Sequence, residues 1–211
     1  MVRRFITLEG GEGSGKSTQA RRLAEHLRTL GLDVVLTREP GGAPLAEAIR
    51  GLVLAHDPAS PVAECLLFAA ARAEHVAVTI APALARGAFV VCDRFTDSTL
   101  AYQSQARGLP WATVKNLNRI ATQGLSPDLT VLLDIDPETG LRRATEQTRF
   151  EAEGVKFQET VRRGFLKARA AEPKRWLKID ASKGKPEDLA EQVWKRLAKK
   201  LPKIQKESTR G

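Results

Sequence analysis

The sequence predicts an α/β fold of three layers, with a doubly wound, five-stranded parallel sheet carrying helices on both faces. Three observations lead there. Five short runs rich in β-branched and other apolar residues alternate with longer helical stretches. Each run is nearly continuous in apolar character, as strands buried on both faces are. The connections are long enough to hold the crossover helices that parallel neighbours require.

In chain order the runs are 5–8, 34–37, 89–93, 129–135 and 176–180, and helices are expected over roughly 15–30, 43–55, 61–86, 110–123, 137–147, 155–171 and 186–200. With 211 residues, 42% of them apolar and 28% charged, the chain has the size and composition of a single well-cored domain. We expect that domain over residues 1–200 and a basic tail over 201–211. No apolar run approaches the roughly 20 residues of a membrane span. The N-terminal MVRRFITLEGG enters the first strand without an apolar leader or a small-residue cleavage site, so neither secretion nor membrane insertion is expected. The two cysteines, Cys65 and Cys92, have no C-x-x-C spacing and no neighbouring histidine pair, which supports neither a disulfide framework nor a zinc site. A cytoplasmic protein is the expectation, with Cys92 a buried, inert thiol inside an apolar run. Most of the net charge of +9 lies between Lys195 and Gly211, where seven basic residues face one acid. That pattern reads as a solvated helix end and terminus, and no nucleic-acid partner is expected.

The first run leads directly into Gly10-Gly11-Glu12-Gly13-Ser14-Gly15-Lys16-Ser17, a full match to G-x-x-x-x-G-K-[ST], and Thr18 opens an amphipathic stretch to Leu30. Strand, glycine loop and helix are the context this motif needs. The glycines let consecutive backbone N–H groups turn into one concavity, and the helix start adds its positive end there. Such a nest holds a polyphosphate. Lys16 is placed to reach the β and γ phosphates and the Ser17 hydroxyl to ligate a bridging Mg2+. A guanine-reading N-K-x-D stretch and a strand ending in Asp-Glu are both missing from the sequence, which argues against a switch GTPase or a hydrolytic motor. The third run instead ends in Asp93-Arg94, at the carboxyl edge of the sheet where α/β proteins bind ligands. Asp93 is suited to a metal-bound water or to orienting Arg94. The second run ends in Arg38-Glu39-Pro40-Gly41, which brings a second arginine to the same edge. Two planar forks suit a phosphate that must be held still, as a phosphoryl acceptor is. Phe68 and Arg72 are four apart on the 61–86 helix and share a face, a flat ring beside a donor fork.

Taken together, the phosphate loop, the Arg38 turn, Leu66-Leu67-Phe68 with Arg72, and Asp93-Arg94 followed by Ser98-Thr99 and Ala101-Tyr102-Gln103 resemble thymidylate kinase, in the nucleoside monophosphate kinase group. The likeness runs in order from about residue 3 to about residue 190. It implies a P-loop NTPase-type fold, ATP as donor, dTMP as acceptor, Mg2+ as cofactor and a homodimer formed through helices between 43 and 86. It also implies that Phe68 stacks on the thymine, that Arg72 and Ser98, Thr99 or Gln103 meet the base edge, and that Tyr102 lies against the deoxyribose and excludes a 2′-hydroxyl. Arg38 and Arg94 clamp the acceptor phosphate, and Glu12 accepts from the 3′-hydroxyl. The loop positions Gly11, Glu12, Gly13 and Ser14 are not basic, so the resemblance assigns the mobile charge to a lid near 140–154, with Arg149 first and Arg142 and Arg143 as candidates. Ser182, after the last strand, is placed near adenine. Two competing expectations are a kinase for another nucleoside monophosphate and, from a different class, a P-loop ATPase or regulator whose basic tail binds nucleic acid.

Overall fold

The computed structural model describes residues 4–56, 60–144 and 149–201. Five parallel strands, β1 (Phe5–Glu9), β2 (Val34–Arg38), β3 (Phe89–Asp93), β4 (Leu129–Asp134) and β5 (Trp176–Asp180), form one sheet in the order β2-β3-β1-β4-β5. Every residue of β1, β3 and β4 is buried, which is why those segments carry no polar alternation. Side chains still point alternately to the two faces. Ile6 and Leu8 pack with Leu23 and Leu27 of the Lys16–Thr29 helix and with Val193 and Leu197 of the Pro186–Ala198 helix. Phe5, Val90 and Cys92 face the other way, against Val76 and Ile80. At roughly 1.5–3 kcal/mol for each fully buried large apolar side chain, these two layers provide the main drive for closing the sheet.

The register positions the site. Leu8 lies opposite Asp93, and Arg38 opposite Asp93 on the other side, so three strand ends meet at one edge. The long helix expected near 61–86 is a continuous Pro61–Ala85 helix with a π-helical stretch over Val76–Ile80. By length and composition it is apolar enough to cross a membrane, but Glu64, Arg72 and His75 are buried within the protein on this same helix. The helix expected over 137–147 is observed over Pro137–Arg143, and residues 145–148 of the expected lid lie outside the described residues, as do 202–211 of the expected tail.

One helical stretch, 96–106, was not expected from the sequence. It begins as Thr96–Thr99 and continues with π-type bonding over Leu100–Ala106. Its buried side chains include Asp97, Thr99, Gln103 and Ser104, so polar residues occupy positions that apolar periodicity would have marked. It packs closely on the Val155–Ala171 helix: a Cβ on Gly164 would stand 2.7 Å from Ala101 Cα. That contact seats Tyr102 against Phe165, ring centroids 6.3 Å apart, and turns its hydroxyl toward the phosphate loop.

Candidate active site

Gly13 and Gly15 of the loop have positive φ, 64° and 86°, and Gly15 caps the helix that starts at Lys16. Gly13 also passes so close to the Pro137–Arg143 helix that a Cβ would lie 1.9 Å from Gly140 O. Lys16 folds back into the loop and donates to Gly11 O at 2.6 Å and to Ser14 Oγ at 3.3 Å. Burial, reinforced by the Arg94 charge, pushes its ammonium down to about 8 despite Glu12 and Asp93 nearby. Beside it, Ser17 Oγ donates to Asp93 Oδ2 at 2.5 Å. The other oxygen, Asp93 Oδ1, is buried without a hydrogen-bond partner.

Arg94 has φ 68°, an uncommon conformation for a side chain-bearing residue. Its hydrogen bonds do not go to Asp93, the residue the sequence suggested as orienting it. Glu12 does so instead: Nη2 donates to both carboxylate oxygens, at 2.7 and 2.8 Å, while Nη1 donates to Gly10 O at 3.2 Å and Ser98 Oγ at 3.3 Å. Tyr102 OH donates to Glu12 Oε1 at 2.6 Å, and the Arg94 guanidinium sits 5.2 Å from the centre of the Tyr102 ring. Burial alone would raise Glu12, but Arg94 and Lys16 hold it down at about 2. Behind this trio the fully buried Glu9 is pushed up to about 8 by burial and by Asp97, although Phe95 N and Ser98 Oγ donate to it at 2.8 and 2.6 Å.

The neighbouring pocket is built around a second buried carboxylate. Glu39 accepts from Arg72 Nε at 2.7 Å and from His75 Nδ1 at 3.0 Å. Arg72 Nη1 in turn donates to Thr99 Oγ1 at 2.9 Å and to Asn118 Oδ1 at 2.7 Å. These contacts fix the fork of Arg72 beside Phe68. One cleft of about 740 Å³ contains both halves: Glu12, Gly13, Gly15, Lys16, Ser17, Thr18 and Asp93 at one end, and Arg38, Phe68, Arg72, Arg94, Ser98, Thr99, Tyr102 and Gln103 at the other. A phosphate nest opens directly onto an arginine-lined pocket with an aromatic floor.

A family model for thymidylate kinase matches residues 8–193. The chain belongs to the thymidylate kinase family. It is 52% identical to the thymidylate kinase of Synechococcus sp. (strain JA-2-3B'a(2-13)), over 94% of this chain and 96% of that one. It is 54% identical to the thymidylate kinase of Pseudomonas fluorescens (strain SBW25), over 84% and 87% respectively. The crystal structure of thymidylate kinase from Ehrlichia chaffeensis superposes with a TM-score of 0.76 at 35% identity, covering 92% of this chain and 97% of that one.

Gly10, Gly11 and Ser14 belong to the loop without lining the cleft, and Arg149, Arg142 and Ser182, also singled out in the sequence, stand apart from it. Arg149 is largely buried; its Nε donates to Val53 O at 2.7 Å and its Nη2 pairs with Glu64 Oε2 at 2.7 Å. Reaching the phosphate loop would require leaving both partners. Arg142 lies at the surface, bonded to Glu138 and Thr139. Ser182 closes a local turn on Asp180, with its Oγ 2.5 Å from Asp180 Oδ1. Arg143, by contrast, lines the cleft and donates to Ala181 O at 2.8 Å and Ser182 O at 2.7 Å. Arg38 is at the cleft with Glu47 Oε2 3.0 Å from its fork, and Gln103 Nε2 donates to Glu64 Oε1 at 2.7 Å. The sequence reading missed Glu39, Arg21 and Arg50. Glu39 stood in view between Arg38 and Pro40, but only its pairing with Arg72 and His75, 33 and 36 residues away, reveals its role. Arg21 and Arg50 line the cleft from the Lys16–Thr29 and Pro44–Ala55 helices, where a single arginine looks like ordinary surface charge in the sequence.

Proposed function

We propose that this protein transfers the γ-phosphate of ATP to dTMP, giving dTDP for DNA precursor synthesis. The carrying observation is the single cleft that joins Lys16 and Ser17 to Arg94, Phe68, Arg72 and Tyr102. In that reading residues 10–18 wrap the triphosphate, with Lys16 on its distal phosphates. Arg94 and Arg38 grip the acceptor phosphate, and Glu12 both aims Arg94 and offers its carboxylate to the sugar 3′-hydroxyl. Phe68 supplies the stacking surface, and Arg72 the donor to a base carbonyl. Ser98, Thr99 and Gln103 line the base edge, while the Tyr102 ring fills the space beside the 2′-carbon. Arg143 and the 181–182 backbone border the adenine side.

Ser17 and Asp93 fit Mg2+. They place a hydroxyl and a carboxylate side by side, and Asp93 Oδ1 is a buried acceptor without a protein partner, as suits a hard cation completed by water and phosphate oxygens. When bound, the ion would neutralise charge on the donor phosphates. Transfer between two anions needs alignment and fixed positive charge more than proton chemistry. Lys16 and Arg94, close enough to act on each other's charge, supply it. The two arms must be kept from repelling each other, and Glu12 lies between them.

We further propose one kinase domain over residues 1–200, a cytoplasmic location consistent with two buried free cysteines, and a homodimer. The dimer reading is supported by Leu45, Leu52, Val62, Leu66 and Val78, apolar side chains about half exposed on the Pro44–Ala55 and Pro61–Ala85 helices. A coupled assay across nucleoside monophosphates with Mg2+ and ATP tests the activity. Turnover of dTMP well above every ribonucleotide is expected. Faster turnover of a ribonucleotide, or ATP hydrolysis stimulated by DNA without an acceptor, would overturn the proposal.

A further inference from the structure

From Arg149 onward the expected lid is fastened to the acceptor side of the cleft. Arg149 caps this segment: besides its bonds to Val53 O and Glu64, its guanidinium stacks 4.3 Å from the centre of the Phe150 ring. Phe150 O accepts from Gln158 Nε2 at 2.9 Å. Three residues further, Glu153 pairs with Arg107 Nη2 at 2.5 Å. Glu64 is only 2% exposed; Oε1 accepts from Gln103 of the base pocket, with Arg107 Nε 3.6 Å away, and Oε2 pairs with Arg149 of the lid segment. A buried carboxylate that joins these two elements holds one at a fixed distance from the other.

What this fastening delivers to the cleft is an aromatic ring. Phe150 lines it, edge-on to Tyr102 at 5.6 Å and tilted 47° to Phe68 at 6.3 Å between centroids. A base sandwiched between two rings needs two stacking gaps of about 3.5 Å each. Phe68 and Phe150 are closer than that, and they are not parallel. A base stacked on Phe68 therefore meets Phe150 at its rim.

We propose that Phe150 is a specificity-determining wall that limits the acceptor base to a single ring, and that Glu64 is the positioning residue that sets this wall through Arg149. The inference rests on the acceptor assignment made above and adds a residue pair to it. The chemistry is steric: a pyrimidine fits on Phe68 within the wall, whereas the second ring of a purine collides with it.

The test compares dTMP with dGMP as acceptors in the full-length enzyme. Wild-type turnover of dTMP checks the underlying reading; if it fails, that reading falls and the wall with it. Given that turnover, Phe150→Ala should lower the dTMP to dGMP ratio of kcat/KM by about tenfold or more, the scale set by removing a close apolar contact, while KM for ATP stays within about twofold. Phe150→Leu, which refills most of the volume, should restore most of the ratio, and it serves in place of the alanine variant, with a smaller fall expected, should that one not fold. Glu64→Gln, with Phe150 intact, should lower the same ratio by about fivefold, as expected when one hydrogen-bonded constraint is lost. Combining Glu64→Gln with Phe150→Ala should add nothing further. An unchanged ratio in the Phe150 variants overturns the wall. An unchanged ratio in Glu64→Gln, a kcat above wild type in it, or a multiplicative loss in the double variant overturns the positioning role.

Discussion

Replacing Lys16 by arginine separates the charge this position supplies from the proton it carries. The ammonium is buried among Gly11 O, Ser14 Oγ and the Arg94 guanidinium, and burial lowers it from 10.5 to about 8. The charged form is thus disfavoured by about 3 kcal/mol before any ligand arrives. A triphosphate in the loop reverses that balance, because it brings several negative charges to the same ammonium. At about pH 8.5 roughly one-quarter of unliganded molecules carry the proton, so ATP binding should take up about 0.7 proton; at about pH 7 uptake should be under about 0.1. Affinity for ATP should accordingly fall as pH rises through 8. Titration calorimetry in two buffers of different ionisation enthalpy reads the uptake directly. Glu9 is also pushed up to about 8 and lies within reach of the same charge, so the comparison with Lys16→Arg is decisive: that variant stays charged and should lose most of the uptake while still binding ATP. No uptake near pH 8.5 in the wild type, or equal uptake in Lys16→Arg, would refute the reasoning. For the unliganded protein, between about 8 and 10.5 the unfolded lysine holds more protons than the folded one, so this group's cost to stability fades as pH rises through that window.

Three further outcomes are expected. Asp93→Asn removes the charge from the one buried carboxylate that has a free oxygen beside Ser17, and the Mg2+ concentration for half-maximal turnover should rise by about tenfold or more; an unchanged requirement would place the metal elsewhere. Gly13→Ala forces a side chain onto a positive φ and onto Gly140 O, and should cost about 3 kcal/mol, a fall of roughly 6–12 °C in Tm by calorimetry; a midpoint within about 2 °C would contradict the close approach. Tyr102→Ala should reduce preference for deoxy over ribo acceptors by about tenfold, and unchanged sugar selectivity in competing-substrate assays would remove the ring from that role.

The parts of the site that were legible in the sequence are those whose conformation is local. The phosphate loop declares itself because glycines, lysine and serine must stand at set offsets between a strand and a helix. The three central strands declare themselves because burial on both faces leaves no room for polar alternation. The 96–106 helix escaped for the converse reason, its inner face being filled by Asp97, Thr99 and Gln103, which are satisfied by partners distant in the chain.

Sequence alone determined the fold class, the glycine-rich loop between the first strand and its helix, and, with the family resemblance, most of the side chains that line the cleft. Tertiary structure alone decided how they are paired: Glu12 rather than Asp93 on Arg94, Glu39 on Arg72, Arg143 rather than Arg142 at the cleft, and Arg149 on Glu64. The reason is physical. A backbone turn is dictated by neighbours a few residues away, whereas a buried carboxylate takes whichever cation the packed helices bring within 3 Å, and Glu12 and Arg94 meet across 82 residues of chain only because β1 and β3 lie side by side.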